Sequence, residues 1–183
     1  MYLKKLHHFD IDCNRLYEEW LSVTQSLDSL KDEYMPFYNR INVTYSSLQD
    51  KSDIIVETGQ RQHFPNDSFS LDNIIDAFKS SYTEQVLKNI NVWFNDRGLR
   101  ITKAKYAALE AHKVVGTHTD RDYKIRYHVP IRTSDRCTMT INGIKHVIDE
   151  PGSIYSMPGT LPHSAENMSD HLRLLLSLDV IKI

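Results

Sequence analysis

Four residues able to bind metals or anions, His118, Asp120, Arg126 and His128, fall at even positions within VGTHTDRDYKIRYHVPI (residues 115–131). On an extended strand, even spacing sets side chains on one face. Two imidazoles, a carboxylate and a guanidinium are seldom buried without partners. Downstream, His163 stands in GTLPHSAEN and Arg173 in LRLLLSLDV. His118, Asp120 and His163 together make a two-histidine, one-carboxylate donor set. Such a set leaves adjacent positions open on a metal and suits Fe(II) chemistry with oxygen. A catalytic zinc could use the same donors. Zinc hydrolysis would leave two inward arginines, Arg126 and Arg173, unexplained, because a planar guanidinium fork is the natural grip for a buried carboxylate.

Taken singly, each residue has an ordinary alternative. With 9 His and 16 Asp in the chain, about one His-x-Asp pair is expected by chance. Arg126 can pair with Asp122 at the surface and Arg173 with Asp170. His128 can be a satisfied core histidine, and His163 can simply open a turn after Pro162. His7-His8 reads as a flexible terminal pair. Arg61 and Arg121 read first as solvated arginines and second as contacts for a substrate carboxylate. It is the combination that carries weight.

The elements that must bring these residues together divide the chain into two textures. Residues 12–30 place Leu16, Trp20, Leu21, Val23, Leu27 and Leu30 near helical spacing, which predicts an amphipathic helix. Ile41–Tyr45 and Ile54–Glu57 read as short strands. Leu71–Phe94 returns to a helical pattern that ends at NDRG, residues 95–98. Beyond Leu99 the pattern predicts eight short strands: 100–110, 114–119, 124–131, 137–142, 144–148, 153–157, 163–167 and 171–180. Asn142-Gly143 is a hairpin signal, and Asp149–Gly152 and Pro158-Gly159 mark further turns. The expected fold is mostly β with N-terminal helices: a double-stranded β-helix (jelly-roll, cupin-like) barrel supported by helices. The last strand fits that layering. Leu172, Leu174, Leu176, Leu178 and Val180 share a face that needs cover, while Arg173, Leu175, Ser177 and Asp179 share the other.

A chain of 183 residues is expected to form one domain, with 1–98 as a largely helical support and 99–183 as the core carrying the site. A net charge of −2 argues against nucleic acid or an anionic membrane surface as partner. Cys13 and Cys137 suggest neither a disulfide framework nor a metal cluster. With no apolar leader in MYLKKLHHFDID, a cytoplasmic location is expected. The oligomeric state is not legible.

The ordered series HTD, RYHVPI, LPHSAEN and LRLLLSLDV resembles the barrel core of the aspartyl/asparaginyl β-hydroxylase-like family of Fe(II)/2-oxoglutarate oxygenases, over roughly Ile101 to Val180. Within it, the motifs H-x-D and LPHSA look most like members that hydroxylate free proline. Some protein-modifying members lack the carboxylate ligand, whose place Asp120 fills here. The resemblance implies that His118, Asp120 and His163 bind iron. It implies that Arg173 pairs with the far carboxylate of 2-oxoglutarate, and that Arg126 and His128 help to hold that cosubstrate. The implied activity consumes O2 and 2-oxoglutarate, releases succinate and CO2, and hydroxylates an unactivated C–H bond. The substrate would be a free amino acid or an Asp, Asn or Pro side chain of a peptide or protein. A non-catalytic jelly roll that binds a small anion, with or without metal, is the alternative. A zinc hydrolase or cupin-type isomerase ranks behind it.

Overall fold

The computed structural model describes residues 2–25, 38–47, 68–120 and 125–183. The predicted strand at Ile54–Glu57, the end of the helix predicted over 12–30, and the arginines Arg61 and Arg121 lie outside them, as does Asp122.

The chain runs β1 (Lys4–His8), α1 (Cys13–Gln25), β2 (Tyr38–Asn42), β3 (Thr44–Ser46), β4 (Phe69–Ile74), a 3-10 turn at Asp76–Phe78, and α2 (Tyr82–Asn95). It continues with β5 (Leu99–Leu109), β6 (Lys113–His118), β7 (Ile125–Arg132), β8 (Cys137–Ile141), β9 (Ile144–Val147), β10 (Ser153–Pro158), β11 (His163–Asn167) and β12 (Arg173–Lys182). All eight strands predicted after Leu99 are present, within a few residues of their expected bounds. They belong to two antiparallel sheets. The larger has the order β1-β10-β7-β12-β5-β2 and the smaller β6-β11-β8-β9, while β3 and β4 pair separately. The fold is thus mostly β with two helices. Neither sheet closes on itself among the described residues, so the expected barrel is here two facing sheets.

Alternation along each strand sorts the two faces of the larger sheet. Leu174, Leu176 and Leu178 of β12 pack with Ala104, Tyr106 and Ala108 of β5 and with Tyr127, Val129 and Ile131 of β7. Leu16 and Trp20 of α1, and Val86, Leu87, Ile90 and Phe94 of α2, cover this layer. The helices therefore supply the cover that the leucine face of β12 requires. Tyr155 and Met157 of β10 instead join Met139 and Ile141 of β8 and Ala165 of β11 in a second apolar cluster. That cluster ties the inner faces of the two sheets together.

The helical reading of Leu71–Phe94 needs correction. Its first part is β4, followed by the 3-10 turn, and the helix begins only at Tyr82. The start is built from a capping pair: Ser81 Oγ accepts from the Glu84 amide at 3.2 Å, and the Glu84 carboxylate accepts from the Ser80 amide at 2.5 Å. Glu19 of α1 adds a cap from outside. Its carboxylate accepts from the amides of Tyr82 and Thr83, each at 2.8 Å, so one helix satisfies donors that the other leaves open. The stop at Gly98 is as predicted, with φ +68.

The N-terminal histidines are also ordered differently from expectation. His7 and His8 lie in β1, which pairs antiparallel with β10. The His7 ring stacks on Trp93 at 5.6 Å, and His8 Nδ1 lies 3.1 Å from Ser153 Oγ. Asn142-Gly143 turns β8 into β9 with positive φ at both residues (49 and 78). No helix among the described residues is long and apolar enough to cross a membrane.

Candidate metal and anion site

His118 is the last residue of β6 and His163 the first of β11, and the two are register partners. Their ring centroids lie 4.3 Å apart. Each ring is held the same way. His118 Nδ1 is 2.8 Å from the Gly116 carbonyl, and His163 Nδ1 is 2.9 Å from the Leu161 carbonyl. A carbonyl only accepts, so Nδ1 carries the proton and a neutral ring keeps its Nε2 lone pair for a ligand. Burial pushes the His163 pKa below the ordinary histidine value. The charges of His118 and Arg126 push the same way, against the Leu161 carbonyl and Asp120. The neutral, metal-binding form is therefore favoured.

Asp120 follows β6 in a loop clamped to the turn before β11, its amide donating to the Gly159 carbonyl at 2.8 Å. Its Oδ2 lies 3.6 Å from His163 Nε2 and 3.0 Å from Arg126 Nη1. One ligand atom each from His118, Asp120 and His163 falls within 4.8 Å of the others. Two imidazoles with fixed tautomers and one carboxylate fit a divalent metal of the iron or zinc type.

Next to this cluster, the inner face of the larger sheet is polar and buried. Arg126 of β7, Asp179 of β12 and Lys103 of β5 are register neighbours in one row, and His128, Ser177 and Lys105 form the next. Arg126 Nε is 3.4 Å from Asp179 Oδ1. Burial first, and then the positive charges of Arg126, Arg173, His163 and Lys105, hold the His128 pKa well below its ordinary value. A cation-rich face keeps this ring neutral. Neither ring nitrogen of His128 has a hydrogen-bond partner among the described residues, and neither does Ser177 Oγ. Such orphaned buried groups suit a face built to receive a polar ligand.

Arg173 is only 2% exposed, at the start of β12. Asp170, its alternative partner in the sequence, instead pairs with His112 at 3.0 Å and Arg136 at 3.7 Å. All six residues singled out in the sequence thus lie at or beside one face: His118, Asp120 and His163 at its rim, Arg126 beside them, His128 further in, and Arg173 within reach of His128 by charge. Sequence reasoning passed over Lys103 and Lys105. Both are buried, and the signal that could have found them is two lysines of one parity in the otherwise apolar ITKAKYAAL. The alternation in LRLLLSLDV puts Asp179 on this face, and its partner, Arg126, is visible only in the fold.

Residues 76–182, more than half of the chain, match the sequence profile of the aspartyl/asparaginyl beta-hydroxylase family. No curated protein matches the chain. Among solved structures, a 2OG-Fe(II) oxygenase family oxidoreductase from Burkholderia pseudomallei is similar over 96% of this chain and 92% of its own, with 10% identity and a TM-score of 0.48. A salicylate 1,2-dioxygenase from Pseudaminobacter salicylatoxidans is similar over 54% of this chain, with 12% identity and a TM-score of 0.36. The chain spans about a third of that enzyme's length (33%). A cupin domain from Bordetella pertussis Tohama I is similar over 43% of this chain and 80% of its own, with 16% identity and a TM-score of 0.36.

Proposed function

The chain belongs to the aspartyl/asparaginyl β-hydroxylase family, and from that membership we propose that it is a non-haem Fe(II)/2-oxoglutarate-dependent dioxygenase. Its substrate would be an amino acid, or an Asp, Asn or Pro side chain of a peptide or protein. The observation that carries the reading is the convergence of His118, Asp120 and His163 at the rim of a buried, cation-lined face. In this reading the two sheets are the halves of a jelly roll, one domain whose helices only support the larger sheet. The protein would act in the cytoplasm, without nucleic acid or membrane as partner.

His118, Asp120 and His163 would hold the iron through the two Nε2 atoms and a carboxylate oxygen. When bound, iron, O2 and 2-oxoglutarate supply the oxidising chemistry that hydroxylates a C–H bond and yields succinate and CO2. The protein's own groups bind and orient. Arg173, buried and planar, would grip the far carboxylate of 2-oxoglutarate with two charge-assisted bonds. At ~4 Å and an effective dielectric of ~20, such a pair is worth about 4 kcal/mol before desolvation. Arg126 and His128 would flank the cosubstrate nearer the metal, and Lys105 adds a positive charge to the same row. His128, held neutral, can donate from one ring nitrogen and accept at the other.

The test is succinate release from 2-oxoglutarate by purified protein with Fe(II) and ascorbate, across a panel of free amino acids and peptides. Direct measurement of iron and 2-oxoglutarate binding accompanies it. Metal-dependent succinate formation with the parental chain and its loss in Asp120→Ala are expected. Tight anion binding that ignores both metal and Asp120→Ala, with no succinate formed, would favour a non-catalytic binding module.

A further inference from the structure

Arg126 does not stand beside Asp120 on its own. One edge of its guanidinium, Nη1, lies 3.0 Å from Asp120 Oδ2, and its Nε lies 3.4 Å from Asp179 Oδ1. Asp179 is 2% exposed and sits on β12 directly opposite Arg126 in the β12–β7 pairing. The three residues form a continuous chain, carboxylate to guanidinium to carboxylate, from the middle of the larger sheet to the cluster at its rim. A burial this deep is costly for a lone carboxylate and is sustained by cationic neighbours. On β5 the register partner of Asp179 is Lys103. Asp179 thus stands on a paired strand between two cationic register neighbours, whereas Asp120 lies in a loop.

We propose that Asp179 is a positioning residue for the metal site, holding the Arg126 guanidinium so that Arg126 in turn sets the orientation of the Asp120 carboxylate. A fork has two usable edges. The contact of the Nε edge with the strand carboxylate is an ion pair rather than an aligned hydrogen bond; it leaves the Nη edge facing the loop carboxylate, so the orientation of Asp120 depends on β12. Arg126 then has a role that precedes any cosubstrate contact. Outer-shell partners of this kind typically govern metal affinity by about 10–100-fold.

The proposal rests on His118, Asp120 and His163 being metal donors, and the experiment separates the two ideas. Mn(II) affinity is measured by direct titration without 2-oxoglutarate, so cosubstrate contacts do not enter. The parental protein is expected to bind and His163→Ala to lose binding. Failure of the parental protein to bind Mn(II) overturns the donor set and this proposal together. Given binding, Asp179→Asn, nearly isosteric but uncharged, is expected to weaken Mn(II) by about 10-fold while the far-UV spectrum is retained. Arg126→Lys keeps a charge but cannot engage two carboxylates through opposite edges, and it is expected to lose a similar factor. Adding Asp179→Asn to Arg126→Lys should cost less than about twofold more, because the two act as one chain. Parental Mn(II) affinity in folded Asp179→Asn, or fully additive losses in the double variant, overturns the proposal. Should Asp179→Asn fail to fold, parental affinity in Arg126→Lys overturns it alone.

Discussion

His118 and His163 face one another across the β6–β11 pairing with their ring centroids 4.3 Å apart, each anchored through Nδ1 to the carbonyl two residues before it. Two strands from distant parts of the chain thus use the same local device to aim Nε2 outward. The shared register sets the spacing of the pair. The backbone bonds set the tautomers.

Removing one ring should therefore disable the cluster rather than trim it. His118→Ala or His163→Ala is expected to lower Mn(II) affinity by more than the roughly 10–100-fold that loss of an outer-shell partner costs. Equilibrium dialysis against the metal measures this, and retained affinity in both variants would remove the case for a metal site here.

Arg173 should matter to the anion and not to the metal. Truncating one partner of a buried charged pair costs about 2 kcal/mol or more, about 30-fold in affinity. Arg173→Ala is expected to raise the dissociation constant of 2-oxoglutarate by at least about that factor while leaving the Mn(II) constant near its parental value. Arg173→Lys, with a point charge in place of a fork, should fall between them. Competition binding with labelled 2-oxoglutarate distinguishes the three.

The neutral His128 gives the fold a pH dependence whose sign is determined. In the folded protein its pKa lies well below the ordinary histidine value, from burial first and then from neighbouring positive charge. The unfolded chain takes up that proton near pH ~6.5 and the folded chain does not. Stability from this residue is therefore complete above about pH 6.5. It declines as pH falls from there to the lowered folded value, by about 1.4 kcal/mol per pH unit. Urea titrations of the metal-free protein between pH 7 and 5 should show this slope, and His128→Asn should reduce it by one proton's worth. An unchanged slope in the variant would contradict the burial of a neutral ring.

Glu19 joins the two helices, so its loss should be felt in stability and not at the site. Glu19→Ala strands the amides of Tyr82 and Thr83, which donate to its carboxylate, and leaves the Thr83 hydroxyl with only Tyr106 as partner. A cost of about 1–2 kcal/mol is expected from chemical denaturation. The Mn(II) constant should stay unchanged, because the helices cover the opposite face of the sheet from the cluster.

Much of the fold is legible in short stretches of the chain. Asn142-Gly143, the turn at Asp149–Gly152 and the alternation in LRLLLSLDV all carry their signal in a few adjacent residues, and their strands form as expected. Expectation and fold part where the local pattern is ambiguous. Ile74, Ile75 and Phe78 are buried and suit a helix by spacing, yet pairing with β3 draws Phe69–Ile74 into a strand. The S-Y-T-E sequence at Ser81–Glu84 is the overlooked marker of the true helix start. His7-His8 reads as a flexible terminal pair because β1 has no buried face to mark it, all five of its residues being exposed, and only the edge of β10 makes it a strand.

The types and order of the site residues, the parity that sends Arg173 and Asp179 to one face, and the family they indicate are all properties of the sequence alone, since each depends on neighbours along the chain. Tertiary structure alone decides that Arg126 bridges Asp120 and Asp179, that the face shared by Lys103 and Lys105 is buried, and that Asp170 serves His112 and Arg136 rather than Arg173. Those outcomes depend on strand register across the sheet. A shift of one residue would turn the strand side chains Lys103, Lys105, Arg126 and Asp179 to the other face, while Asp120, His112, Arg136 and Asp170 stand in loops and turns that those strands place, and no local pattern in a single strand specifies its partner's alignment.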